Sequence, residues 1–130
     1  MEDETLKSYV GTYHDSILDT VKKTVGISSD VTDFDQDILI DINSVLSILT
    51  QIGIGPEEGY VISDHSQTWK DFLGEDPNLE MVKSYVCCRV RLIFDPPTNQ
   101  NITNALEKQC NEFETRANYV YELRKLKSNR

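Results

Sequence analysis

Residues 90–97 read Val90-Arg-Leu-Ile-Phe-Asp-Pro-Pro97. Pro96 and Pro97 have no backbone N–H to donate, and a residue that precedes proline is pushed out of helical geometry. A helix must therefore end near Phe94. The residues upstream, from about Pro77, include Leu79, Val82, Tyr85, Val86, Cys87, Cys88, Val90, Leu92, Ile93 and Phe94. From Tyr85 on, that helix is apolar on nearly every side except Arg89 and Arg91, which predicts a central or partner-covered position. Downstream, Thr98 reads as the cap of a last helix from about Asn99 to Lys125, with Ile102, Ala105, Leu106, Cys110, Phe113, Ala117 and Val120 at helical spacing and Tyr121 beside them. At roughly 40 Å it is longer than a small core requires. Arg91, Phe94, Asp95, Pro96 and Pro97 thus form a structural elbow between two long helices. Arg89 and Arg91 are its candidate ion-pair donors.

Further upstream, Phe34, Ile38, Leu39, Ile42, Val45, Leu46 and Leu49 form a stripe of period 3.6. Asp33 reads as the N-cap of that helix, and Asp35 and Asp37 suit the positive end of its dipole. Gly53 ends it. A shorter helix from about His14 to Val25 carries Ile17, Leu18, Val21 and Val25 and stops at Gly26. Between Ile54 and Ser66 the chain reads as an ordered loop, with Tyr60-Val61-Ile62 as a candidate short strand. Ser66 or Thr68 can cap a short helix with Trp69, Phe72 and Leu73, in which Trp69 reads as a core or loop anchor rather than part of a ligand cage. Asp76-Pro77 is a start signal, an acidic N-cap before proline at the first helical position. The expected fold is all-α, a small bundle of about four to five helices with a long C-terminal helix. Residues 1–12 read as a mobile N-terminal extension, 13–126 as one helical domain, and 127–130 as a basic tail.

The chain has 130 residues, 38% hydrophobic and 27% charged. That is enough for one core and too apolar for a disordered chain. No run approaches the roughly 18 apolar residues of a membrane span. The acidic start, Met1-Glu-Asp-Glu, has no apolar stretch of the signal-peptide kind, so a cytosolic protein is expected. Three cysteines make an odd number without Cys-x-x-Cys spacing, which argues for packed thiols over a disulfide framework or zinc site.

Chemistry of other kinds fails on spacing. Asp33, Asp35 and Asp37 superficially suit a calcium loop, but its sixth position is Ile38 and its twelfth Ser44, where glycine and glutamate are needed. Gly53-Ile-Gly55 lacks the rest of a nucleotide fingerprint. His14 and His65 have no evident partner, and no catalytic residue, metal or cofactor is expected. Asn101-Ile-Thr103 matches a glycosylation sequon without other signs of secretion. The net charge of −9 disfavours a DNA reader. That charge is uneven, −13 over residues 1–80 and +4 over residues 81–130. Opposite potentials on one small domain suit oriented packing between copies; on charge alone, a solvated acidic surface that serves only solubility is the better reading.

The ordered series of segments resembles the head–tail connector (adaptor) proteins of tailed bacteriophages, the ring below the portal. It comprises Asp41-Ile-Asn-Ser-Val-Leu-Ser-Ile-Leu-Thr-Gln-Ile-Gly53, Trp69-Lys-Asp-Phe-Leu73 and Met81-Val-Lys-Ser-Tyr85. The elbow segment follows, then Glu107-Lys-Gln and Phe113-Glu-Thr-Arg116. It covers about residues 14–126. Residues 1–12 extend beyond the family's usual start, and Thr115 stands where relatives often carry an aromatic.

The resemblance implies a non-enzymatic virion subunit, assembled in the host cytoplasm. It implies a closed ring of about a dozen copies on the portal protein that extends the DNA channel and docks the next neck or stopper protein. DNA would pass through without specific binding, and no membrane is involved; an acidic lumen that repels the phosphates is a separate expectation from the charge. Arg124, Lys125, Lys127 and Arg130 are the candidate portal contacts. Pro56, Glu57, Glu58 and Tyr60 are candidate contacts with a neighbouring or downstream subunit. The alternative class is a small cytosolic helical regulator that acts by protein binding.

Overall fold

The computed structural model describes residues 15–128, with the side chain of Ser128 left aside. The extension expected at residues 1–12, His14 and Arg130 lie outside the described residues. Five helices make up the described fold: α1 Ile17–Thr24, α2 Asp35–Ile52, α3 Trp69–Leu73, α4 Leu79–Phe94 and α5 Gln100–Ser128. The all-α expectation holds, long last helix included.

The first helix begins where its cap lies. Ser16 accepts a hydrogen bond from the Asp19 amide at 3.2 Å and caps α1, which runs from Ile17. It buries Ile17, Leu18 and Val21, and Gly26 closes it at φ 82°, a conformation glycine adopts without a Cβ clash. Lys22 on the same helix is buried. Its Nζ lies 2.8 Å from an Asp35 carboxylate oxygen and donates to the carbonyls of Ser29 (3.2 Å) and Val31 (2.7 Å). One ammonium thereby gathers the polar link into the start of α2.

That gathering corrects the expected cap of α2. The Asp35 amide donates to the Thr32 carbonyl at 3.2 Å, and Phe34 takes the N-cap position with no side-chain cap bond. Asp33 does not cap. The tertiary ion pair at Asp35 and the edge-to-face contact of Phe34 with Phe94, 6.1 Å between centroids, fix the entry instead. The stripe itself is as expected, with Ile38, Ile42, Val45, Leu46, Leu49 and Ile52 buried. Phe34 stands half outside it.

The loop after α2 is ordered without a strand. The Asn43 side chain plays the part of a strand neighbour, since its Nδ2 donates to the Ile62 carbonyl (3.0 Å) and its Oδ1 accepts from the Ile62 amide (2.9 Å). With its amide and carbonyl so satisfied, Tyr60-Val61-Ile62 needs no paired strand. Among the described residues the one β-bridge joins Ser16 to Thr68, backed by the Ile17 amide on the Gln67 carbonyl at 3.1 Å. Thr68 caps α3 through the Asp71 amide at 3.0 Å. Trp69 is fully buried, and its indole N–H donates to the Thr20 hydroxyl at 3.1 Å.

Two further starts shift from expectation. Asp76 accepts from the Asn78 amide at 2.8 Å, closing a turn over Pro77, and α4 begins only at Leu79 with Asn78 as its uncapped N-cap. Thr98 is not the cap of α5. Asn99 is, because its Oδ1 accepts from the amides of Asn101 (2.8 Å) and Ile102 (3.3 Å).

Helix α4 packs against all four other helices, which accounts for its apolar circumference. It buries Val82, Tyr85, Val86 and Val90. The elbow turns α5 back antiparallel along it, so that Tyr85 stacks on Phe113 at 4.6 Å and Cys88 faces Cys110.

Candidate assembly surface

The 29 residues of α5 span about 43 Å at 1.5 Å per residue, and the bundle does not cover them all. Cys110 is buried and Phe113 partly so. Beyond Ala117, every side chain described except Tyr121 is exposed. Tyr119, Val120, Leu123 and Leu126 are 59%, 47%, 45% and 62% exposed. Four large apolar groups exposed on one helix end make it a candidate interaction surface.

Beside that end runs a groove of about 600 Å³ between the start of α4 and the second half of α5. Met81, Tyr85, Phe113, Ala117 and Val120 line it, with Tyr121 and Gly53 at one end and Glu80, Glu112, Arg116 and Arg124 among its polar walls. Gly53 has φ 102°, and a Cβ built on it would stand 2.1 Å from Tyr121 Cδ1. The Tyr121 ring therefore rests directly on the backbone at the end of α2, and this contact sets how far α5 approaches the bundle.

The middle of α5 is held by a polar cluster. One Glu114 oxygen accepts from Arg89 Nε (3.0 Å), Arg89 Nη2 (2.7 Å) and the Tyr85 hydroxyl, while Arg89 Nη2 also donates to Asn111 at 3.0 Å. Burial would lower the basicity of the guanidinium, but the bonds to Glu114 and Tyr85 outweigh it and hold Arg89 more basic than usual. Burial, then the bond to Glu114, pushes the Tyr85 phenol upward. Across ordinary pH Arg89 therefore keeps its charge and Tyr85 its proton. Arg89 is thus an ion-pair donor, whereas Arg91 makes no ion pair with a described residue.

The residues singled out from sequence fall into separate places. Arg124 lines the groove, Lys125 lies 5.4 Å from the Tyr121 ring centroid, and Lys127 is exposed near the helix end. Pro56 to Gly59 form a turn closed by the Gly59 amide on the Pro56 carbonyl at 3.0 Å. Glu57 and Glu58 are exposed at its tip. Tyr60 faces inward: its ring packs on Phe72 at 5.2 Å and its hydroxyl donates to Asp71 at 3.3 Å. Burial, with the Asp71 charge behind it, pushes that phenol up to about 12. At the elbow, Phe94 packs on Phe34 and Asp95 and Pro96 are exposed. Sequence reasoning missed Lys22 and Glu114, and placed Tyr121 on the apolar stripe without its contact to Gly53. A lysine two-thirds along an amphipathic helix carries no sign of burial. Glycine after α2 signals a cap, not the ring above it.

Among the described residues, no group of three His, Cys, Asp or Glu side chains could hold a metal ion, and no helix is long and apolar enough to cross a membrane. What the surface offers is binding geometry: an apolar helix end, a groove beside it, and an acidic turn.

A family model described as a phage connector protein matches residues 17–124, a span that runs from the first residue of α1 to near the end of α5. No curated protein and no solved structure matches the chain significantly.

Proposed function

The chain belongs to the phage connector protein family, and from that premise we propose that it is a structural subunit of the head–tail connector, without enzymatic activity. Copies form a closed ring on the portal protein, extend the channel through which DNA passes, and present a platform to the next neck or stopper protein. The observation that carries this reading is the end of α5, where Tyr119, Val120, Leu123 and Leu126 stand exposed on a helix that outruns its own bundle. A lone domain gains nothing from leaving them in water; an assembling one uses them.

In this reading the end of α5, with Arg124, Lys125 and Lys127, meets the portal. The basic charges orient the approach, and the apolar residues supply most of the affinity. The turn bearing Glu57 and Glu58 faces a neighbouring copy or the downstream protein, where its charge suits a basic surface. The acidic balance of residues 1–80 keeps DNA from sticking to the channel wall.

The test is the mass of the purified chain with and without its portal protein, by sedimentation or native mass spectrometry. The expected result is a portal complex bearing many copies of the chain in cyclic symmetry. A chain that stays monomeric beside the assembled portal at every concentration tried would overturn the reading.

A further inference from the structure

The elbow brings two thiols into contact. Cys110 Sγ lies 3.1 Å from Cys88 Sγ, 22 residues earlier in the chain, and its S–H points at that sulfur. Cys88 in turn donates to the Leu106 carbonyl at 3.6 Å. A covalent S–S bond needs about 2.05 Å, so the sulfurs must close by about 1 Å. Helix α5 already lies on α4, so neither helix has to be brought from a distance. Cys110 is 1% exposed, whereas Cys88 is partly exposed and open to a small reagent.

We propose that Cys88 and Cys110 form a disulfide that ties α4 to α5 when the protein meets a small-molecule disulfide. The Cys88 thiolate attacks one sulfur of the reagent, whose other half leaves as a thiolate and takes up a proton. Cys110 then loses its proton, attacks Cys88 Sγ, and releases the second half as a thiol. Two protein thiols are oxidised and one reagent disulfide is reduced to two thiols. The order follows from the surroundings: burial, then the bond to Cys88, pushes the Cys110 thiol up to about 12, so Cys110 is the resolving partner. Cys87 is turned toward Thr24 of α1, and burial pushes its thiol up as well.

The bond would close a loop that contains the whole elbow. It restricts the unfolded chain more than the folded one. A particle that leaves a reducing host interior for an oxidising medium meets such reagents only after assembly, so the tie would set once α5 has docked. That timing rests on the connector reading; the bond does not, and its test needs no portal.

The purified, reduced chain is incubated with oxidised glutathione, alkylated and mapped by mass spectrometry. The expected product is a monomer lighter by two hydrogens, with the Cys88 and Cys110 peptides linked and Cys87 alkylated. Its unfolding midpoint should rise by about 10 °C, a rise that dithiothreitol reverses. Cys87→Ala should give the same link, and Cys88→Ser should remove it. Three alkylated thiols after oxidation, a glutathione adduct that persists on Cys88, or a link through Cys87 would each overturn the proposal.

Discussion

The Tyr121 ring occupies the place where a side chain on Gly53 would stand, 2.1 Å from the ideal Cβ. Gly53→Ala therefore meets two costs, a positive φ of 102° and a ring that must move. The expected loss is about 2–4 kcal/mol in urea unfolding. In a Tyr121→Ala background the same substitution should cost about 1 kcal/mol, the backbone part alone. Equal costs in both backgrounds would refute the contact.

Lys22 is 1% exposed, while its partner Asp35 is 25% exposed. Lys22→Met removes the charge that Asp35 and two carbonyls face, and should destabilise by about 2–4 kcal/mol. Asp35→Asn leaves the two carbonyl bonds and an amide oxygen to face the ammonium, so about 1–2 kcal/mol is expected. Chemical denaturation of both variants checks the order; a larger loss for Asp35→Asn would contradict it.

The Tyr85, Arg89 and Glu114 side chains share one oxygen, so their deletions should not add. Glu114→Gln alone should cost about 1–2 kcal/mol. A double-mutant cycle of Tyr85→Phe with Glu114→Gln should return a coupling of about 1 kcal/mol. A coupling of zero would mean that the cluster is only a set of separate contacts.

Alkaline pH should weaken the fold. The Cys110 thiol is raised from its ordinary 9.0 to about 12, and the Tyr60 phenol from 10.0 to about 12. Both folded values exceed the unfolded ones, so the unfolded chain loses its protons first. The associated stability is complete below the unfolded values and disappears as pH rises toward 12. Urea midpoints should be flat near pH 8, then fall steadily by about pH 11. Cys110→Ser should flatten part of that fall.

Leu123 and Leu126 touch little of their own bundle. Leu123→Asp and Leu126→Asp should leave thermal unfolding within about 0.5 kcal/mol of the parent. The pair should nevertheless abolish co-sedimentation with the portal. Full retention of binding would move the contact away from the end of α5.

The parts of the fold that could be read from sequence were those set by local rules. The stripe Ile38 to Leu49 demanded a helix because its period matched nothing else, and Pro96-Pro97 had to break one. The caps were harder, because capping competes with tertiary contacts. Asp33 satisfies every local rule for a cap, yet Lys22 pairs with Asp35 and the cap position moves by one residue to Phe34. Asp76 does accept an amide bond, but in a turn ahead of the helix. The strand suggested by Tyr60-Val61-Ile62 failed because one amide, Asn43, supplied the missing hydrogen bonds from across the fold. The assembly surface was legible only as an excess, a last helix too long for its core. Which of its side chains stay in water depends on where Tyr121 halts the approach to α2, and no periodicity records that.

The seat of Tyr121 on Gly53 also has a mechanical meaning. The free end of α5 is a lever, and this ring on bare backbone is its fulcrum. Compression at such a point is opposed by hard-core repulsion, which rises within tenths of an ångström, whereas separation is opposed only by dispersion, which is weak per atom pair. A thrust on the helix end toward the bundle would pass into α2 almost undiminished. A tug in the opposite sense would lift the ring and load the Arg89–Glu114 pair next. The domain is thus stiff toward one direction of force and compliant toward the other.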